Sequence, residues 1–200
     1  MSLPWTTLDR VASAGGMLEL RQRGEREFLI TVAGRVLMTS VAHRSESALA
    51  EWLCEGLTTG RPRVFIGGLG MGYTLRAALD ALPRRARVRI AELEPAVVAW
   101  CRGPLAPLTD HALDDPRVEV ALGDVMESVR AAARGPLARF DAIALDLFEG
   151  PRGTRAEEEH PLWGNAALAL LRDALARLFV VGRTAHLGGQ ALDIGQVFLR

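Results

Sequence analysis

From Arg63 onward, short apolar runs alternate with amphipathic segments, and this alternation limits the fold more than any other feature of the sequence. The apolar runs are typical of buried strands: Arg63–Ile66, Arg87–Ala91, Val118–Leu122 and Phe140–Leu145. The segments that follow them carry apolar residues at helical spacing: Thr74–Leu82, Pro95–Arg102, Val125–Ala133 and Asn165–Arg177. Because strands that alternate with helices are joined by right-handed crossovers, the sequence predicts a parallel, doubly wound α/β sheet.

The beginning of the chain has a different pattern. Three runs rich in Leu, Ile, Val and Phe follow one another at Met17–Gln22, Glu25–Val32 and Arg35–Thr39. Gly24 and Gly34 fall between runs, where a tight turn favours a residue that tolerates positive φ. These residues predict a small antiparallel β meander.

A helix is predicted to follow the meander, from Ser45 to Leu57, with Ser45 as its N-cap. Gly60 and Pro62 end this helix, since glycine and proline are common just beyond a helix C-terminus. We therefore predict a domain boundary near Gly60. Residues 1–60 would form the meander and its helix, and residues 61–200 the α/β domain.

Composition excludes several classes of function. The chain of 200 residues has 24 Lys+Arg and 24 Asp+Glu, a formal net charge of zero, and this argues against a nucleic-acid partner. Every basic residue is Arg, so a lysine nucleophile is excluded. Two distant cysteines and four dispersed histidines give no disulfide framework and no metal-ligand spacing. With no leader or membrane-spanning run, we predict a cytoplasmic protein without a metal.

A glycine cluster follows the first predicted parallel strand and opens a helix. Gly68, Gly70 and Gly72 read G-x-G-x-G, a variant of the dinucleotide pattern that is associated with adenosyl-sulfonium donors. Glycines let a backbone approach a ligand closely, and the helix N-terminus presents free N–H groups. The alternative is a glycine-rich turn that serves only tight packing between strand and helix.

Acidic residues follow the next two strands. Glu92 ends the second strand, where a carboxylate can accept hydrogen bonds from both hydroxyls of a ribose, and Glu94 is its competitor. Asp124 follows Gly123 after the third strand and can accept a hydrogen bond from an adenine amino group. The alternatives are a solvated loop carboxylate at either glutamate and an N-cap at Asp124, which directly precedes a helix.

Asp146 ends the fourth and most apolar strand, and Glu149 lies three residues later. Two carboxylates at a strand end can deprotonate an incoming nucleophile or hold a cationic substrate. A charge at the lip of a buried strand is costly, which favours a functional role. Asp141 begins the same strand at the opposite end and is given no role.

Taken in order, these features resemble the spermidine synthase (polyamine aminopropyltransferase) family. The matching fragments are residues 64–76 (VFIGGLGMGYTLR), 91–95 (AELEP), 115–124 (DPRVEVALGD) and 140–146 (FDAIALD). The resemblance covers roughly residues 17–176, and the meander with its helix looks like the N-terminal extension of that family. It implies a Rossmann-like methyltransferase fold in which Glu92 holds the ribose, Asp124 the adenine, and Asp146 acts as the catalytic acid–base residue.

Three departures from the family are visible in the sequence. Gly70 stands where the family usually has an Asp that contacts the aminopropyl ammonium of the donor. Glu149 is the only match to the usual second carboxylate, and it is followed by Gly150 rather than Pro. After the fourth helix, residues 178–200 do not align, so we predict an atypical, shortened C-terminus.

The sequence therefore predicts a transferase that binds S-adenosylmethionine or its decarboxylated form beside Gly68, Gly70, Gly72, Glu92 and Asp124. Its acceptor would be a small amine or similar nucleophile, with Asp146 and Glu149 as catalytic residues. Gly70 narrowly favours methyl transfer, because an intact methionine carboxylate would be repelled by an Asp there. The alternatives are aminopropyl transfer and a non-catalytic nucleoside-binding or scaffold protein. An open sheet edge also predicts a homodimer.

Overall fold

The computed structural model describes residues 3–55, 57–135, 139–147 and 165–176. Its first element is an antiparallel sheet of four strands in the order β1-β2-β3-β4. The strands are β1 (Thr6–Ser13), β2 (Gly16–Arg23), β3 (Glu27–Val32) and β4 (Arg35–Thr39). The predicted meander is present with one additional strand. β1 lies at the edge of the sheet and is mostly exposed, so its sequence carries no apolar pattern that would have predicted it.

The helix after the meander, α1 (Arg44–Cys54), is shorter than predicted. His43 rather than Ser45 is its N-cap, and no side chain caps it. The Ser45 hydroxyl instead donates a hydrogen bond of 2.7 Å to the carboxylate of Glu46 within the first turn. The helix ends at Cys54 because the next residue has an extended backbone, so the predicted extension to Leu57 is wrong.

The second sheet is parallel and has the strand order β7-β6-β5-β8. Its strands are β5 (Arg63–Gly67), β6 (Arg87–Glu92), β7 (Val118–Leu122) and β8 (Ala142–Leu145). The helices between and after them are α2 (Tyr73–Ala81), α3 (Pro95–Arg102), α4 (Val125–Ala133) and α5 (Asn165–Asp173). The predicted α/β class is confirmed. Two short 3-10 helices at Ala106–Thr109 and Ala112–Asp114 were not predicted.

The strand order reverses direction at β5. β6 pairs with one side of β5 and β8 with the other, so that Gly67 has Ala91 and Leu145 as its cross-strand partners. Since all these strands are parallel, their carboxyl ends meet at one edge of the sheet. In open α/β sheets, ligands bind in the crevice beyond the carboxyl ends of the strands, at the point where the strand order reverses.

Two hydrophobic clusters cover the two faces of the parallel sheet. Val64 and Ile66 point to one face and Phe65 to the other, as alternate strand residues must. The first cluster joins the sheet to the meander, which contributes buried residues such as Leu20 and Ile30. The meander therefore shares a hydrophobic core with the α/β half of the chain, and the domain boundary near Gly60 stays a prediction.

The fourth parallel strand begins later than predicted. Phe140 lies outside β8 and forms an isolated parallel bridge with Leu175, in which the amide of Ala176 donates to the Phe140 carbonyl at 2.7 Å. Leu175 follows α5, which ends at Asp173, so the predicted extension of this helix towards Arg177 is wrong. Residues 177–200 lie outside the described residues. In the part of the chain that is described, no helix is long and apolar enough to span a membrane.

Candidate functional site at the carboxyl edge of the parallel sheet

The loop after β5 passes directly over the end of β8. Gly68 has a φ of +91°, and a Cβ placed on it would lie 2.1 Å from the backbone oxygen of Asp146. Only glycine accommodates both the left-handed backbone and this close approach. The loop is held there by two strand-like hydrogen bonds, from Gly68 N to the Ala91 carbonyl at 2.8 Å and from Asp146 N to the Gly67 carbonyl at 2.7 Å.

The middle of the loop is packed against the meander. Gly70 has a φ of +54°, and a Cβ there would lie 2.8 Å from the terminal methyl of Met38 on β4. The Met38 sulfur accepts a hydrogen bond from the amide of Met71 at 3.1 Å. Gly72, with a φ of +85°, is the N-cap of α2. The left-handed backbone favours a glycine at position 70, and a larger side chain there would displace the end of Met38.

Glu92 ties the loop to the end of β6. Its side chain is buried, with one oxygen accepting the amide of Leu69 at 2.8 Å and the other the amide of Glu94 at 2.9 Å. A carboxylate has about four lone-pair sites, so two acceptor positions remain after these bonds. No side-chain hydrogen bond is found for Glu94, its competitor, within the described structure.

Asp146 lies across the same edge, at the end of β8. The hydroxyl of Thr74, buried in the first turn of α2, donates a hydrogen bond of 2.6 Å to its carboxylate. The side chain is therefore oriented by a residue that follows the glycine loop directly. Glu149, the second predicted catalytic carboxylate, lies outside the described residues.

Asp124 occupies the N-cap of α4. One carboxylate oxygen accepts the amides of Met126 at 2.7 Å and Glu127 at 3.2 Å. The neighbouring Gly123 is bonded through its amide to the carbonyl of Glu92 at 2.9 Å. Asp124 is thus the N-cap of α4, which was one of the two roles that the sequence allowed. The cap uses one oxygen of the exposed carboxylate and leaves the second for another partner.

These elements enclose a cleft of about 420 Å³ between the meander and the carboxyl edge of the parallel sheet. Four predicted site residues are among those that line it: Gly68, Gly70, Glu92 and Asp146. Gly72 and Asp124 are not among the lining residues. The sequence did not predict the apolar wall, which comes largely from the meander and α3: Leu18, Ile30, Leu37, Met38 and Val97.

The two cysteines have no nucleophilic role at neutral pH. Burial raises the pKa of Cys101 to about 12, with the nearby Glu92 carboxylate adding to the effect, and its thiol donates to the Gly70 carbonyl at 3.2 Å. Burial likewise raises the pKa of Cys54 to about 11. Both thiols are therefore protonated and unreactive. Over the described ranges, no group of three or more His, Cys, Asp or Glu side chains is arranged to hold a metal ion.

The curated proteins that are similar in sequence are named as polyamine aminopropyltransferases. A polyamine aminopropyltransferase of Corynebacterium efficiens is 32% identical over 166 residues, which is 82% of this chain and 30% of that protein. Another from Mycobacterium tuberculosis is 36% identical over 91 residues, 46% of this chain and 17% of that protein. This chain thus spans less than a third of the length of these relatives. No protein-family model matches it.

Solved structures show the same fold. A spermidine synthase in complex with the transition-state analogue AdoDATO superposes with a TM-score of 0.65 at 19% identity, covering 88% of this chain and 56% of that one. The spermidine synthase of Thermotoga maritima gives a TM-score of 0.61 at 20% identity with the same coverage.

The fold and the cleft define a Rossmann-type α/β protein whose candidate ligand site lies at the reversal of its strand order. Within this class the chain is similar in sequence to polyamine aminopropyltransferases and in fold to spermidine synthases, the family that the sequence resembles. The narrow preference for methyl transfer is not supported, because the curated relatives are named as aminopropyltransferases. The structure offers a second reason for Gly70, because its left-handed backbone favours glycine whatever the charge of a donor.

Proposed function

We propose that this chain is a transferase that moves an aminopropyl group from decarboxylated S-adenosylmethionine to a small amine. The observation that carries the proposal is the convergence of Glu92 and Asp146, from the ends of β6 and β8, on one cleft beneath the glycine loop. The names of the curated relatives support the type of group transferred.

The residues of the cleft fit a nucleoside donor. Glu92 retains two acceptor positions for the hydroxyls of a ribose, and its bonds to the loop fix the carboxylate in place. The apolar wall from the meander suits an adenine ring and a thioether-like chain. We assign the adenine amino group to Asp124, whose second carboxylate oxygen is not used by the helix cap.

Asp146 is assigned to the acceptor amine. The sulfonium donor supplies an electrophilic methylene carbon; the amine nitrogen bonds to it while the carbon–sulfur bond breaks and its electron pair stays on sulfur. The nitrogen loses a proton in the process. Asp146, oriented by Thr74, would hold the amine in line and accept that proton. Glu149 is proposed as the second carboxylate on the acceptor side.

The proposal is tested by the products formed from each donor. The chain is incubated with putrescine or a mixture of small amines and either decarboxylated or intact S-adenosylmethionine, and the products are identified by mass spectrometry. We expect an aminopropylated amine and methylthioadenosine from the decarboxylated donor only. A methylated amine formed only from the intact donor would overturn the proposal in favour of methyl transfer.

Glu92 and Glu94 can be separated by matched substitutions. We expect Glu92→Gln to weaken methylthioadenosine binding about ten-fold or more, because hydrogen bonds to a charged acceptor contribute about 1.5–3 kcal/mol each. Glu94→Gln makes the same chemical change two residues away, at a half-buried side chain that also lines the cleft but accepts no hydrogen bond from the glycine loop, and is expected to alter affinity less than about three-fold. Isothermal titration calorimetry on both variants measures this. Equal losses in the two variants would remove Glu92 from its assigned role.

The predicted homodimer and cytoplasmic location stay predictions. A small-molecule amine is the acceptor class that the relatives support, and its identity is left to the product experiment above.

A further inference from the structure

A second cavity lies at the opposite edge of the parallel sheet. It has a volume of about 290 Å³ and opens at the amino ends of β5, β6 and β7. The cleft beside Glu92 is separated from it by the length of β6, about 16 Å for five strand intervals of about 3.3 Å. Its described lining includes four arginines, one carboxylate and one aromatic ring: Arg63, Arg87, Arg89, Arg117, Glu119 and Phe140.

The register of the strands brings these arginines together. Arg63 and Arg87 are cross-strand partners on β5 and β6. Arg89 follows two residues later on the same face of β6 and is paired across the strands with Glu119. Guanidinium groups from neighbouring strands therefore converge on one cavity, although like charges in adjacent positions of a sheet are destabilising.

Arg87 and Arg89 have hydrogen-bond donors to spare. Arg117 uses three of its five N–H donors, two with Asp115 at 2.8 and 2.9 Å and one with the Leu82 carbonyl at 3.0 Å. Arg87, in contrast, makes one long bond of 3.3 Å to the carbonyl of Pro116.

Arg89 is the second group with spare donors. It lies 3.7 Å from Glu119, too far for a hydrogen bond, and its Nε is buried without a hydrogen-bond partner in the described structure. A buried donor without a partner costs free energy. Of the nearby aspartates, Asp115 is engaged by Arg117 and Asp141 accepts the backbone amide of Arg63 at 2.8 Å.

We infer that this cavity, formed by Arg63, Arg87, Arg89 and Arg117, is a binding site for a small phosphate-bearing anion. Planar guanidinium groups bind phosphate oxygens through paired, charge-assisted hydrogen bonds, and Arg87 and Arg89 hold the donors needed. The cavity volume lies at the small end of ligand sites, roughly 300–1,000 Å³, which fits a phosphate or pyrophosphate group rather than a large metabolite. The inference is independent of the proposed transferase activity.

Inorganic pyrophosphate is the first probe. Calorimetric titration of the full chain at constant ionic strength is expected to give saturable one-to-one binding. The double substitution Arg87→Gln with Arg89→Gln should weaken this binding about ten-fold or more, since charge-assisted hydrogen bonds are lost. The matched control is Arg26→Gln with Arg35→Gln, which removes the same charge from exposed positions of the meander and should change affinity less than about two-fold, the effect of surface charges. No saturable binding, or equal losses in both double variants, would overturn the inference.

A gain in affinity provides an independent measurement that does not rely on the double variant being folded. Glu119 is exposed, and Glu119→Gln removes the one carboxylate in the described lining. It should tighten pyrophosphate binding about three-fold, within the range for a partly exposed charge. Unchanged or weaker binding in Glu119→Gln contradicts the inference.

Two further binding measurements show where the anion binds and identify its source. Saturating methylthioadenosine should leave pyrophosphate binding unchanged; displacement would place the anion in the cleft beside Glu92 and overturn the inference. Inorganic phosphate and ribose 5-phosphate are then compared. Tighter binding of the sugar phosphate supports a phosphorylated metabolite as the ligand, and equal affinities support the free inorganic anion.

Discussion

Asp146→Asn is expected to abolish donor consumption while leaving the affinity for methylthioadenosine within about two-fold. The carboxylate lies at the end of β8, oriented by Thr74, and is assigned to the acceptor rather than to the nucleoside. Losing a positioned proton acceptor lowers turnover by about 10²- to 10⁴-fold. Steady-state kinetics with decarboxylated S-adenosylmethionine, together with calorimetric titration of methylthioadenosine, measures both quantities.

Asp141→Asn is the matched control for this variant. Asp141 lies just before the same strand at the opposite edge of the sheet, where its carboxylate accepts the Arg63 amide at 2.8 Å, and Asn retains an acceptor oxygen for that bond. Turnover should therefore stay close to that of the parent chain. If the parent binds the nucleoside but consumes no donor with any amine, the alternative of a non-catalytic nucleoside-binding protein is correct.

Gly68→Ala is expected to destabilise the chain by about 2–5 kcal/mol, a large part of the roughly 5–15 kcal/mol that holds a typical domain folded. An alanine at a φ of +91° has an unfavourable backbone conformation, costing about 1–2 kcal/mol. Its Cβ would lie 2.1 Å from the Asp146 carbonyl oxygen, and relieving this overlap requires the loop and β8 to separate, at about 1–3 kcal/mol.

Gly60→Ala is the corresponding control, because a Cβ there meets no atom within 4 Å and the residue does not have a positive φ. Its free energy of unfolding should equal or slightly exceed that of the parent, since alanine restricts the unfolded chain. Urea denaturation of both variants gives the comparison. A Gly68→Ala chain as stable as the Gly60→Ala chain would show that the loop does not pack on β8 in this way.

The helices and strands of the α/β half were predictable because the hydrophobic patterns that indicate them involve only neighbouring residues. β5, β7, α3 and α4 begin and end within a residue or two of the predicted bounds, since burial on the sheet and helix faces imposes periodicity on neighbouring residues. β1 was missed for the same reason, because a mostly exposed edge strand carries little periodicity. The Ser45 cap failed because its hydroxyl had a competing partner in Glu46.

The candidate site was predictable to the extent that it follows from strand order. Gly68, Glu92 and Asp146 each follow a parallel strand, and parallel strands present their carboxyl ends at one edge. For Asp124 the sequence allowed both a helix cap and a ligand contact; the structure shows the cap and leaves the contact as a proposal.

The sequence by itself thus determined the class of fold, the order of its elements and the strand ends that line the candidate cleft. Only the tertiary structure showed which residues complete the cleft and which distant side chains contact the glycine loop. Met38 lies more than thirty positions before Met71, yet its sulfur accepts that amide at 3.1 Å and its methyl group lies 2.8 Å from the place that a Cβ on Gly70 would occupy. Hydrophobic periodicity reports which face of an element is buried, but it does not identify the distant residue that packs against it.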